Sequence, residues 1–155
     1  MFEPGMFEYG LKTGALSEQE IIKIIKKANN KIAKEINDSR IPKGLNMKKY
    51  TGPFGRSTPD AEPPEYDHIY WFRHRVSNLF LELYPNQEKN GRVKFPDEEI
   101  IWNLYVWLMD GDYPPKLSED DHIQEFGCRV MEELFRTLPC EKVLIKKYAP
   151  GEDRL

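Results

Sequence analysis

Two pairs of side chains in this chain have the spacing of a metal site. Glu65 and His68 are three positions apart, and so are Glu119 and His122. On a helix, this spacing places a carboxylate and an imidazole on one face, as two helices of a four-helix di-iron or di-manganese site do. The other two helices would each supply one glutamate. The candidates for that role are Glu20, Glu35, Glu98 and Glu99. A carboxylate-bridged metalloenzyme is therefore one hypothesis for this protein.

The positions of the two pairs favour a simpler interpretation. Both lie where helices are predicted to begin, and acidic residues are favoured there by unpaired N–H groups and by the helix dipole. Metal sites in helical bundles instead project inward from the middle of helices. Acidic residues also occupy 26 of the 155 positions, so an acid three places before a histidine is common. We therefore interpret the glutamates as capping groups, and we predict neither a metal nor another cofactor.

A second set of residues combines basic and aromatic side chains, and we predict that it forms a partner-binding surface. Its members are Lys43, Lys48, Lys49, Tyr50, Phe54, Arg56, Tyr66, Tyr70 and Trp71. Cations neutralise phosphates and aromatic rings stack on bases, so single-stranded nucleic acid is one partner that fits. An acidic protein surface satisfies the same cations, and large aromatic residues are favoured at protein interfaces. A solvated connector with aromatic residues packed on the core has the same composition.

The common motifs of nucleotide-binding proteins and hydrolases are missing from the sequence. There is no GxxxxGK[ST], GxGxxG or GxSxG motif and no paired CxxC. Cys128 lies in a predicted helix and Cys140 beyond its end, roughly 15 Å away and outside disulfide reach. No membrane span and no secretory signal is predicted. We expect a soluble, non-enzymatic protein with free thiols, located in the cytoplasm or another reducing intracellular compartment.

Apolar periodicity predicts four helices. They cover residues 17–37, 67–84, 95–109 and 118–138. Ser17 with Glu20, and Ser118 with Asp121, have the spacing of capping boxes at the starts of the first and last helices. Prolines follow the second and fourth helices at Pro85 and Pro139, where they would prevent continuation.

The third predicted helix is expected to be central. Residues 100–109 are apolar almost all round, which is the pattern of a helix packed on several sides. A buried strand is the alternative. The run of ten residues after an acidic helix start favours the helix. We interpret Trp102, Tyr105 and Trp107 as core residues, with an exposed docking surface as the alternative.

The predicted fold is mainly α, a small bundle of three to four helices in a single domain, residues 17–138. Residues 1–16 are predicted to form an extended N-terminal arm, and residues 139–155 a short C-terminal extension. A long irregular connector, residues 37–65, contains five prolines and three glycines. A chain of 155 residues can bury one sizeable core.

Charge is unevenly distributed along the chain. The first 60 residues carry 11 Lys and Arg against 7 Asp and Glu, and the remainder carry 12 against 19. Arms and long connectors around a modest core can wrap a partner. We therefore expect a non-catalytic structural or adaptor protein, a subunit of a larger assembly such as a virion or an accessory subunit of a multiprotein complex. The partner would be another protein or a second copy, not a membrane. A single-stranded nucleic-acid-binding protein is the alternative.

Overall fold

The computed structural model describes residues 2–39, 41, 44–51, 68–73, 79–88, 91–108 and 121–149. These residues form one sheet and two helices. In chain order the elements are β1 (Met6–Lys12), α1 (Glu18–Ile36), β2 (Asn46–Thr51), β3 (His68–Arg73), β4 (Leu79–Pro85), β5 (Trp102–Leu108), α2 (Asp121–Thr137) and β6 (Glu141–Tyr148). The strands lie in the order β2-β3-β4-β5-β1-β6, and every neighbouring pair is antiparallel.

Helix α1 confirms the first predicted helix. The Ser17 hydroxyl oxygen accepts a hydrogen bond from the Glu20 backbone N–H at 3.2 Å, as expected for an N-cap. Asn37 ends the helix in the left-handed region, with φ of 52°. The isoleucines at helical spacing, among them Ile21, Ile25 and Ile32, are buried.

Helix α2 confirms the last predicted helix, although Ser118, its predicted cap, lies outside the described residues. Phe126, Val130 and Leu134 are fully buried along one face. The Lys142 ammonium donates to the carbonyl oxygens of Phe135 and Leu138 at 2.7 and 2.6 Å. These bonds satisfy C-terminal carbonyls that have no partner inside the helix.

The predicted second helix is wrong, because residues 68–73 and 79–85 form β3 and β4. In β4, the buried residues Leu79, Leu81 and Leu83 alternate with Phe80 and Glu82, which point to the opposite face. Two leucines four positions apart lie on one face of a strand and also on one face of a helix. The short apolar run was therefore compatible with both secondary structures. Residues 74–78 lie outside the described part of the chain.

The predicted third helix is also wrong, and the helical bundle with it. Residues 102–108 form β5, which lies between β4 and β1. Leu104 and Val106 are fully buried on one face, while Tyr105 on the other face is 5% exposed. A strand buried on both faces reads as a continuous apolar run, which resembles the sequence of a buried helix. The alternative assignment, a buried strand, is the correct one.

Parts of the segments assigned to an arm, a connector and an extension belong to the sheet. The N-terminal segment forms β1, between β5 and β6, and its Leu11 is fully buried. The connector contains β2 and buries Ile41 and Leu45, while its residues 52–65 are not described. The C-terminal segment forms the edge strand β6. Their polar composition suggested a peripheral position, but pairing with other strands places these parts in the sheet.

Two hydrophobic clusters lie on opposite faces of the sheet. The larger one packs α1 and α2 against residues such as Phe72, Leu81 and Leu104. The smaller one contains Met6, Ile69, Tyr84, Tyr105 and Tyr148, and within the described residues it includes no helical side chain. The described residues thus form two layers, a sheet with both helices on one of its faces. Among the described residues, no helix has the length and apolar character that crossing a membrane requires.

Candidate functional site

The sheet face opposite the helices carries a row of aromatic rings that crosses the molecule. We call it the aromatic face; its rings are Tyr50, Trp71, Phe80, Tyr84, Tyr105, Trp107 and Tyr148. Ring centroids are 4.3 Å apart for Tyr50 and Trp71, 5.8 Å for Trp71 and Phe80, 6.5 Å for Phe80 and Tyr105, and 5.9 Å for Tyr105 and Tyr148. One connected row therefore links β2, β3, β4, β5 and β6.

Two carboxylates lie inside this face. Glu82 and Glu8 are the cross-strand neighbours of Tyr105, one on either side. The Trp71 indole N–H donates to Glu82 Oε2 at 2.8 Å, which fixes the orientation of that ring. The centre of the face is therefore acidic as well as aromatic.

Glu8 is buried, with 1% of its surface exposed. The Lys94 ammonium lies 3.9 Å from Glu8 Oε1 and donates to the Tyr84 hydroxyl at 3.0 Å. Lys94 comes from the connection between β4 and β5, so this cluster ties that connection to the centre of the sheet. Burying a charge of this kind is costly unless it is paired, and Lys94 provides the opposite charge.

Cations occupy the margins of the aromatic face. On the β2 side, Lys48 is the cross-strand neighbour of Trp71, and both Lys48 and Arg73 are exposed. On the β6 side, Lys146 is opposite Glu8 and its ammonium lies 4.7 Å from the Tyr148 ring centroid. The face thus has aromatic residues and carboxylates in its interior and basic residues at both edges.

The structure brings together several residues of the predicted partner-binding set. Lys48, Tyr50 and Trp71 lie side by side on the aromatic face. Tyr70 points to the helix face and is 2% exposed, because successive residues of a strand alternate between faces. The Lys49 ammonium lies 5.7 Å from the Tyr70 ring centroid, also on the helix side. The other predicted members, Lys43, Phe54, Arg56 and Tyr66, lie outside the described residues.

The residues of the metal hypothesis are arranged differently from what that hypothesis requires. His68 begins a strand, and its Nε2 contacts the Glu18 carboxylate in the first turn of α1. Glu35 pairs with Arg129 on the outer surface of the two helices. Within the described residues, no group of three or more histidines, cysteines and acids is arranged to hold a metal ion. The four-helix scaffold is absent, since the described fold has a sheet and two helices.

The Glu18 contact also affects Tyr70. Burial, followed by the nearby Glu18 carboxylate, raises the pKa of the Tyr70 phenol to about 12. The Tyr70 ring packs edge-on against His68, with centroids 5.4 Å apart. Glu18, His68 and Tyr70 therefore join α1 to the start of β3 through a polar contact at the sheet margin.

Sequence reasoning missed much of the aromatic face. Phe80, Tyr105, Trp107 and Tyr148 were assigned to helices or to an extension, and Glu8 to the arm. The sequence did contain a signal for this face, because Tyr105 and Trp107 are two positions apart, as are Phe80 and Glu82. That spacing places each pair on one face of a strand.

Comparison of the chain with protein-family models, with curated proteins and with solved structures finds no match. The chemistry of the aromatic face is therefore the basis on which function can be inferred.

Proposed function

We propose that this is a non-catalytic binding protein, an adaptor or a subunit of an assembly, whose partner protein packs on the aromatic face. The connected row of rings supports this proposal most directly; its members Tyr105 and Tyr148 are buried, whereas its β2, β3 and β4 members are partly exposed. Tyr50, Trp71, Phe80 and Trp107 are each partly exposed. Large aromatic residues surrounded by a polar margin are the composition of protein interfaces and of their energetic hot spots.

The edges of the sheet fit a partner less well than its face. The described part of β2 carries Lys48 and Lys49, and β6 carries Lys142, Lys146 and Lys147. The pairing of β1 with β6 also shifts register between Glu8 and Tyr9. Lysines and bulges at edge strands discourage pairing with another chain. A partner is therefore better accommodated on the face.

A protein partner fits the face better than single-stranded nucleic acid does. Base stacking requires rings with an accessible flat surface. Here Trp71 and Phe80 meet at an interplanar angle of 68°, and Phe80 and Tyr105 at 66°, so each ring covers part of its neighbour. Phosphates lying across the centre would also approach Glu82. These features favour the packed contact of two protein surfaces.

One corner of the face supports nucleic acid as a second candidate. Tyr50 and Trp71 are in close ring contact there, and Lys48 and Arg73 are exposed beside them. Such a corner could hold one or two nucleotides by stacking and by phosphate contacts. Binding of an oligonucleotide would then weaken steeply as salt rises.

The proposal is tested by variant-dependent capture of a partner from the native source. Trp71→Ala and Tyr50→Ala alter the aromatic face, whereas Leu144→Ala alters an exposed apolar residue of β6 and serves as the matched control. We expect the control to retain a partner that both face variants lose, each variant keeping its circular dichroism spectrum and unfolding midpoint near those of the parent. Equal retention by all three variants would contradict the proposal. Retention of nucleic acid in place of protein would favour the second candidate.

A further inference from the structure

A cleft separate from the aromatic face opens at one end of the sheet. It has a volume of about 450 Å³, within the range of small-ligand sites. Its walls include His68, Pro85, Gln87, Glu88, Ile101 and Trp102. These residues come from the start of β3, the end of β4 and the start of β5, together with the connection between β4 and β5. Trp102 and His68 belong to the helix side of the sheet.

The histidine in this cleft is held in a fixed orientation. Its Nε2 contacts the Glu18 carboxylate, and its ring lies 5.4 Å from Tyr70 and 5.9 Å from Trp102, measured between centroids. The other ring nitrogen, Nδ1, is a second polar atom of the same ring. His68 therefore presents a positioned polar group to a ligand.

Asn86, in the connection between β4 and β5, is also held in place by hydrogen bonds. The buried Asn86 side chain donates to the carbonyl oxygens of Phe95 and Ile100 at 3.0 and 3.2 Å. Its own oxygen accepts from the Phe95 backbone N–H at 3.1 Å and from the Asn103 amide at 3.0 Å. The position that directly precedes Gln87 and Glu88 is thus fixed by packing within the protein, and such preorganisation is typical of binding sites.

The polar groups of the cleft include both donors and acceptors. Glu88 presents a carboxylate, and the Gln87 amide donates to the Gly91 carbonyl at 3.3 Å, which leaves its second N–H and its carbonyl oxygen for a ligand. None of the described lining residues is a lysine or an arginine. A carboxylate beside an amide and an imidazole suits a neutral ligand whose hydroxyl groups both donate and accept hydrogen bonds.

We propose that this cleft binds a neutral saccharide unit. The Trp102 indole, with Pro85 and Ile101 beside it, provides an apolar wall for the C–H face of a sugar ring. The polar groups of His68, Gln87 and Glu88 line the same cleft and can pair with its hydroxyl groups. An organic cation fits less well, because Glu88 is the one carboxylate in the described lining and Glu18 is engaged by His68. This proposal does not depend on the protein-binding role of the aromatic face.

The test is a titration of the ¹⁵N-labelled full chain with glucose, galactose and N-acetylglucosamine, followed by NMR. We expect saturable millimolar binding of at least one of these sugars, with shifts at Gln87 and at the Trp102 indole N–H. Glu88→Ala and Gln87→Ala lie on the exposed connection and should each weaken it by about tenfold, since each removes a hydrogen-bond acceptor. Leu144→Ala, at an exposed position of β6, should leave it unchanged.

Tetramethylammonium and acetate serve as contrast probes for cationic and anionic ligands. The saccharide proposal is overturned if none of the three sugars gives saturable shifts in the cleft, or if tetramethylammonium or acetate gives them and the sugars do not. It is also overturned if Glu88→Ala and Gln87→Ala, both folded by their amide spectra, bind the sugar as tightly as the parent chain.

Discussion

The environment of Tyr70 leads to a prediction that can be tested in solution. Its folded-state pKa is raised to about 12 by burial and by the Glu18 carboxylate. Because the folded state holds this proton more tightly than the unfolded state, its contribution to stability is complete below the ordinary tyrosine pKa of 10.0 and is lost as the pH rises towards 12. An absorbance titration at alkaline pH should show tyrosines that ionise late, namely Tyr70 and also Tyr9, whose pKa burial raises as well. Tyr70→Phe should reduce this late absorbance change by one tyrosine, and an unreduced change in the variant would contradict the assignment.

Cys128 should react slowly with thiol reagents. Burial, with smaller contributions from Glu132 and Glu3, raises its pKa to about 11. Burial also raises the pKa of Cys140. Since the thiolate is the reactive form, we expect modification of Cys128 near pH 8 to be slower than in the urea-unfolded chain by on the order of a hundredfold. The rate is measured with an aromatic disulfide reagent in a Cys140→Ser background. Equal rates in the folded and unfolded chain would refute the buried placement.

At the scale of single elements, the Ser17 cap should contribute measurably to stability. Its hydroxyl oxygen accepts the Glu20 N–H, so Ser17→Ala leaves that donor without its side-chain partner. We expect the free energy of unfolding to fall by about 1 kcal/mol in urea denaturation. Ser39→Ala, at an exposed serine beyond the end of α1, is the matched control and should change it little. A loss no greater than that of the control would contradict the capping role.

Gly10 in β1 is required by close packing. A Cβ at this position would lie 2.5 Å from Cδ1 and 3.1 Å from Cγ1 of Ile100, which is itself buried. We expect Gly10→Ala to destabilise the fold by about 1–3 kcal/mol through overpacking. The Ile100→Val background removes Cδ1, so the same substitution should cost less there. An identical cost in both backgrounds would show that this contact is not the cause.

The two helices could be read from the sequence because their signals are local. Ser17 with Glu20, and the isoleucines that follow, specify the start and the buried face of α1 without reference to the rest of the chain. The strands carry no comparable local signal. Whether residues 102–108 are helix or strand depends on neighbours that are distant in sequence, since β5 pairs with β1 and β4. Pairing of that kind is invisible to periodicity over a short apolar run.

The candidate site was predictable only in part, because it too depends on how the strands pair. Lys48, Tyr50 and Trp71 were selected for their residue types, and their arrangement on neighbouring strands keeps them together. Tyr70 was grouped with Trp71 because adjacent helical residues share a side of the surface, whereas adjacent strand residues do not. Tyr105, Trp107 and Glu8 could be placed in the site only once the order of the strands was known.

For the molecule as a whole, the asymmetry between the two sheet faces is the central feature. One face is covered by α1 and α2, and the other carries the ring row with cations at both margins. A partner that packs on the second face would give this sheet a third layer. Such a layer would bury apolar surface that the described chain leaves partly exposed. Burial of apolar surface is favourable by about 25 cal/mol per Å².

Hydroxyl-radical footprinting of the protein, alone and with its captured partner, tests this claim most directly, because oxidation reports the exposure of individual aromatic side chains. We predict that the partner protects Trp71, Phe80 and Trp107, while Trp102, which lines the cleft on the helix side, is oxidised as before. Unchanged oxidation of the three rings, with protection instead on the outer surfaces of α1 and α2, would contradict the aromatic face as the partner-binding surface.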